Sequence, residues 1–317
     1  MIGYALRRLA LIIPTLLTIA VLVFFVLRVV PGDIVEFKLR AEGSDVSQEV
    51  IEKERERLGL NKPLVGQFGD WMVGLATLDL GQSMWTERPV TEEIASRLPL
   101  TVELAILSML IALIIAVPSG IIAAIYDGTW IDYSVRVFSI AGLAVPPFWL
   151  GMVMAVGLLY FFNWLPPITS PSLFTDPIAN LSQLIWPALA VGYRYAAILT
   201  RIMRSSVREV LSEDYIRTAR AKGLLESLVI RRHALPNAML PTITVIGLEF
   251  AFLIGGLIVV EQVFNLNGIG KLFVQAVTRN DFTLTQGIVM LIAAVSLLIT
   301  LVVDMLYGIL DPRIRYR

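Results

Sequence analysis

Six stretches of the chain run for seventeen residues or more with at most one charged side chain: 9–27, 104–126, 137–175, 177–193, 234–260 and 282–303. No other feature limits the fold so strongly. A helix needs about 20 residues to cross a hydrocarbon core, and apolar runs of that length have nowhere else to hide their surface. The 137–175 run is long enough for one crossing plus a segment outside it. The 177–193 run reaches Thr200 if Arg194 is tolerated, and the 234–260 run is interrupted only by Glu249. The pattern predicts an all-α membrane protein with six transmembrane helices.

Composition agrees. Of 317 residues, 56% are hydrophobic and 16% are Asp, Glu, Lys or Arg, against about 25% charged in an ordinary soluble domain. The formal net charge is zero, so no global field points to nucleic acid. There is no cysteine and one histidine, so neither disulfides nor a histidine-rich metal site are expected. The first apolar run follows Arg7 and Arg8 but extends too far, with no small-residue cleavage site before the next charges. It reads as a retained helix rather than a cleaved signal.

Charge also sets an orientation. Arg7 and Arg8 precede the first run. Segment 201–232 holds eight basic and four acidic residues, and the tail adds Arg313, Arg315 and Arg317. With six crossings these three regions share one side, and the positive-inside rule makes that side the cytoplasm. Segment 163–183 has no Lys or Arg. Both termini are expected inside.

The chain then divides into a tail and first helix (1–30), an extracytoplasmic insert (31–99), a five-helix core (100–310) containing an exposed loop at 201–236, and a tail (311–317). In the insert, residues 47–58 have helical composition with Gly59 as a stop, and the aromatics of 68–80 suit either a membrane surface or a solvent-exposed helix. The second crossing is expected to begin after Pro99 with Thr101 as its cap. Pro146-Pro147 must bend or break the third. Gly142, Gly151 and Gly157 permit close helix approach there, while Trp149, Trp164 and Trp186 suit interface anchors. Arg194 is expected to snorkel, and Asp304 to mark a membrane boundary.

Glu249 lies inside an apolar run. An ionised carboxylate there costs several kcal/mol unless it is paired or faces water. The residues leave two readings open: an interhelical hydrogen bond, or the wall of a translocation path. The sequence contains no Walker-type phosphate loop, no GxGxxG opening a βαβ unit, no HExxH and no GxSxG, so the chain is not expected to hydrolyse a nucleotide itself.

The loop at 201–236 carries the most specific pattern. Residues 212–222 favour a helix, with Glu213 and Asp214 at its start and Arg220 and Lys222 at its end, as the helix dipole prefers. Tyr215 and Ala219 share a face and Ile216 adjoins them. Gly223 permits a left-handed turn. Leu224, Leu225, Leu228, Val229 and Ile230 follow. Five aliphatics in seven positions either dock under the membrane domain or present a knob to another protein.

This segment resembles the EAA loop of ABC importer membrane subunits. That pattern is Glu-Ala-Ala, three residues, Gly, nine residues, Ile, one residue, Leu-Pro. Here Arg217, Thr218 and Ala219 fill the first positions, Gly223 matches the glycine, His233 stands at the Ile position, and Leu235 and Pro236 close it. RTARAKG followed by RHALPNA is the wording of the peptide-importer branch. The opening YALRRLALIIPTLLTIAVLVFFVLRVVPGD, the insert's LGLNKPLVGQF and LDLGQSM, the late EQVFNLNGIGKLFVQAVTRND and the tail Leu310-Asp311-Pro312-Arg313 extend the resemblance to DppB/OppB-type permeases over essentially the whole chain.

The resemblance implies a permease of a bacterial or archaeal cell membrane that pairs with a second, related permease. Two cytoplasmic ABC ATPases would bind ATP and Mg and dock on the loop through Tyr215, Ile216, Arg217, Thr218, Ala219, Arg220, Lys222, Gly223, Leu224, His233, Leu235 and Pro236. An extracytoplasmic binding protein would deliver cargo. Dipeptides or oligopeptides are the first expectation; nickel chelates, glutathione or oligosaccharides are the alternatives. A proton-coupled secondary transporter using Glu249, or a non-transporting scaffold, are rivals from other classes.

Overall fold

A computed structural model describes residues 2–29, 34–41, 47–57, 59–167 and 171–310. Residues 311–317, with the expected cytoplasmic tail and its three arginines, lie outside them. Among the described residues the architecture is helical, and the one β pairing is an isolated bridge between Gln82 and Pro89.

Helix α1 (Ile2–Val29) precedes three helices of the insert: α2 (Ile34–Ala41), α3 (Gln48–Arg57) and α4 (Leu64–Thr77). Gly59 follows α3 at φ +68°, the stop expected there. Helix α4 has no fully buried residue. One edge closes on α1, where the buried Phe24 ring meets Phe68 at 5.2 Å and Trp71 at 5.8 Å. Val65 and Val73 on α4 remain exposed.

Helix α5 runs from Val90 to Ile125, 36 residues, with Pro99 and Pro118 inside it. The expected start after Pro99 is therefore wrong by about ten residues. Pro89 precedes the helix, and Glu92 and Glu93 occupy its first turn, where the dipole favours acids. Thr101 lies in the helix interior rather than at a cap, so its hydroxyl is available for a tertiary contact.

Helices α6 (Trp130–Ala144) and α7 (Pro147–Phe162) meet at 97°. The break falls at Val145 and Pro146: Pro146 has no N–H to continue the ladder, and Pro147 is already set for a first helical turn. Gly142 and Gly151 sit at tight contacts, where a Cβ would come within 2.7 Å of Ala197 Cβ and 3.1 Å of the Phe264 ring; Gly157 faces open space.

Helix α8 (Pro177–Leu211) is the buried axis of the bundle, packed along α5 and flanked by α6, α7 and α11. Small residues bring α5 and α8 together: a Cβ at Gly192 would lie 2.8 Å from the Ser108 carbonyl oxygen. Next come α9 (Asp214–Ala221), the short α10 (Glu226–Leu228) and a wider π-helical turn over Val229–Ala234. They lead into α11 (Leu235–Val263), α12 (Ile269–Thr278) and α13 (Phe282–Leu310). Salt bridging of Arg8 to Asp304 at 2.9 Å ties α1 to α13 at one end, and Arg28 over the Phe282 ring at 5.4 Å ties them at the other.

Among the described residues, four helices can cross a membrane by length and composition: Arg7–Arg28, Val90–Ile125, Glu226–Val263 and Phe282–Met305. The bent α6–α7 pair makes a fifth if counted as one span. The expected six is not reached by that measure. Helix α8 is long enough, but Gln183, Arg194, Arg201, Arg204 and Arg208 lower its apolar character. Its surroundings are largely protein.

Candidate functional site

The loop between α8 and α11 is a helical hairpin. Helix α9 is one limb. The chain turns at Gly223, whose φ is +75°, the left-handed value that favours glycine. The turn is closed by Lys222 N–H to the Thr218 carbonyl at 3.1 Å and Gly223 N–H to that of Arg220 at 3.0 Å. The second limb, α10 with the π turn, continues into α11 without a break.

Burial sorts the hairpin's side chains. Ile216 and Ala219 of α9 pack against Val229 and Ala234 of the other limb, with Leu224 beside them. Leu225 is 76% exposed, and Leu228 and Tyr215 are also exposed. The five aliphatics thus divide: Leu224 and Val229 hold the limbs together, Leu225 and Leu228 face outward, and Ile230 is half-buried. Arg217, Thr218, Arg220 and Lys222 are exposed on the same projection. His233 is half-buried, and Leu235 and Pro236 form the first turn of α11. The sequence-selected residues from Tyr215 to Pro236 therefore form one unit, with Ile216 and Ala219 in its core, packed also against Val210 and Leu211 of α8, and the charged residues on its surface.

Three contacts fix its shape. Arg220 donates from Nε and Nη2 to the Glu226 carboxylate at 3.1 and 2.6 Å, bridging the turn. That bond raises the already high pKa of the guanidinium. Asn237, absent from the sequence-selected set, donates from Nδ2 to Tyr215 Oη at 2.9 Å and to the His233 carbonyl at 3.2 Å. Upstream, Arg204 of α8 makes a two-pronged bond to the fully buried Asp132, at 2.6 and 2.8 Å, and reaches Asp127 at 2.7 Å. The α5–α6 turn is thereby tied to α8 ten residues before the hairpin. Such pairs unite distant positions, and spacing alone could not reveal them.

Glu249 lies in the wall of a second feature. It is 14 residues beyond Leu235, about 21 Å along α11. A cavity of about 480 Å³ opens between α7, α8 and α11, lined by Phe148, Arg194, Tyr195, Ile198, Glu249 and Phe252 among others. Arg194, an exposed residue, also lines this cavity.

The sequence missed Glu261. It is fully buried. Its carboxylate accepts from Thr101 Oγ1 at 2.7 Å, from Lys271 N–H at 3.0 Å and from Gly270 N–H. The Thr101 hydroxyl also accepts from Ile269 N–H at 2.8 Å. Glu261 thus serves as the missing cap of α12, supplied by a neighbouring helix. In the same region Asp281 accepts from Ser83 Oγ at 2.6 Å and from Leu284 N–H at 3.0 Å, and Trp85 Nε1 donates to the Arg279 carbonyl at 2.7 Å. These bonds fasten the insert to the α12–α13 junction.

A family model described as a binding-protein-dependent transport system inner membrane component matches residues 116–316, and the N-terminal model of such membrane components matches residues 1–105. Glutathione transport system permease proteins GsiC from Escherichia coli K12, Shigella dysenteriae serotype 1 and Pectobacterium atrosepticum are each 41% identical over 317 residues, covering all of both chains. A solved structure titled as an amino acid ABC transporter with histidines aligns with a TM-score of 0.50 and 20% identity, over 70% of this chain and 94% of that one. That last likeness is one of fold.

Proposed function

The chain belongs to the family of binding-protein-dependent transport system inner membrane components, and from that premise we propose that it forms half of the path of an ATP-driven importer for glutathione. The observation that carries the cargo is the 41% identity, end to end, with glutathione permease proteins. That favours glutathione over the dipeptides and oligopeptides expected first; those, with nickel chelates and oligosaccharides, remain cargoes for the test to separate.

The energy enters through the hairpin. Two partner ATPases bind ATP and Mg and close; the closed pair contacts two arrangements of the permease unequally and so shifts their populations. The surface of Tyr215, Arg217, Thr218, Arg220, Lys222 and Leu225 is the docking face, and the Gly223 turn is its tip. Because the second limb runs straight into α11, a push on the hairpin becomes a rigid movement of that helix. Glu249 rides on it and borders the path, whose other half a second permease supplies. The insert receives the extracytoplasmic binding protein. Helix α8 is the sixth crossing, shielded from lipid by its neighbours, and both termini are cytoplasmic.

The test is uptake of labelled glutathione and trialanine by cells expressing the chain with its ATPases, second permease and binding protein. We expect glutathione uptake that stops when the ATPases are inactivated. Uptake that ignores the ATPases but collapses with the proton gradient would overturn the reading. Orientation is checked with single cysteines in this cysteine-free chain: one at Ser47 labels with an impermeant thiol reagent in intact cells, and one at Ser212 does not.

A further inference from the structure

The cavity between α7, α8 and α11 has two charged side chains in its lining, of opposite sign: Arg194 from α8 and Glu249 from α11. Both stand near the middle of their helices, 17 residues beyond Pro177 and 14 beyond Leu235. The rest of the lining is apolar apart from the Tyr195 hydroxyl, beside which Gly256 leaves room: a Cβ there would lie 3.4 Å away. The volume, about 480 Å³, is within the roughly 300–1,000 Å³ range of small-molecule sites. Arg194 is exposed and Glu249 half-buried, so neither charge is sealed away from whatever fills the cavity.

We propose that the cavity is a cargo subsite for a zwitterion, in which Arg194 takes a carboxylate and Glu249 takes an ammonium group of the same molecule. This deepens the importer reading and rests on it. The planar guanidinium can grip a carboxylate through two parallel N–H donors, and the carboxylate of Glu249 is an acceptor for the three donors of an ammonium. Phe148, Val191, Ile198, Phe252 and Val259 supply tolerant apolar walls for whatever lies between the two ends. Glutathione and ordinary short peptides both carry the required pair of ends. Cargo then replaces at the subsite the water that each charge otherwise needs. Because the two charges stand on different helices, a movement of α11 against α8 changes their separation and weakens the grip on the cargo.

The experiment measures equilibrium binding of radiolabelled S-methylglutathione and of trialanine to the purified permease–ATPase complex without binding protein. Competitors are the same molecules with the amino group acetylated or the carboxylates amidated. In the wild type each blocking step weakens competition about ten-fold, the loss of one charge-assisted hydrogen bond. Glu249→Gln removes the discrimination against acetylation only, Arg194→Gln that against amidation only, and Glu249→Asp and Arg194→Lys restore part of each. Co-purification of the partner subunits shows that the variants are folded. Blocked and free forms competing equally in the wild type, or both discriminations surviving in both variants, would overturn the subsite. So would absence of binding to a complex that imports the same molecule in cells. Absence of ATPase-dependent import of either molecule would instead defeat the importer reading.

Discussion

Helix α11 carries two glutamates 12 residues apart, about 18 Å along its axis, and the two have opposite surroundings. Glu261 has no exposed surface and three donors on its carboxylate. Glu249 is partly exposed and borders a cavity. From sequence they look alike, each a lone acid in an apolar helix. The difference shows what such an acid can be for. Where the protein brings donors to it, the acid holds elements in place; where the protein leaves room beside it, it is free to meet something that arrives.

The largest effect tests the first half of that contrast. Glu261→Leu keeps a similar volume but orphans the Thr101 hydroxyl and the N–H groups of Gly270 and Lys271. At about 1–3 kcal/mol for each unmet buried group, the variant should lose roughly 3 kcal/mol or more, read as a lower thermal midpoint and low membrane abundance. A second variant approaches the same carboxylate from the other side. A Cβ at Gly268 would lie 2.4 Å from all three carboxyl atoms of Glu261, so Gly268→Ala should cost about 1–3 kcal/mol through overpacking. If the two sites act as one joint, the double variant's loss falls short of the sum of the single losses. Additive thermal shifts would separate Gly268 from Glu261.

Little of that joint could be read in the chain. Thr101 looked like a helix start because Pro99 looked like a break, yet the helix begins at Val90 and passes through both prolines. Neighbouring helices tolerate the proline, and the threonine is released to serve Glu261, 160 positions away. Pairings at that separation leave no periodicity. Helix α8 was expected as a crossing from its apolar length; that it packs against α5, α6, α7 and α11 could not be read from that length. Local features were legible, because local chemistry determines them. The Pro146–Pro147 break, the Gly59 stop and the Gly223 turn all appear where backbone freedom alone would put them.

Gly223 sharpens the comparison because its surroundings are those of Glu249, not of Glu261. A Cβ there would meet nothing within 4 Å, so crowding does not explain the glycine; its φ of +75° does. Gly223→Val should cost about 1–2 kcal/mol locally, while Gly223→Asn, which tolerates the left-handed region, should cost less. The apolar spans are untouched, so membrane abundance should stay normal. Copy-number-matched pull-down should recover fewer ATPases with the valine variant than with the asparagine variant, and uptake should fall in the same order. Equal recovery and full uptake in the valine variant would remove this turn from the coupling joint.

The smallest stability effect belongs to Glu249, and its smallness is the point. Among the described residues no donor depends on its carboxylate in the way that α12 depends on Glu261, so Glu249→Gln should leave the thermal midpoint and partner recovery nearly unchanged, within about 0.5 kcal/mol. Glu249→Leu fills the same place with an apolar side chain and removes the need to solvate a charge, so it too should assemble. Uptake should nevertheless fall in both variants, because the cavity loses its acid while the bundle keeps its packing. A fall in stability comparable to that of Glu261→Leu would mean that Glu249 holds the fold together, and the contrast between the two acids would collapse. Unchanged stability with unchanged uptake would leave Glu249 without a part in either structure or transport.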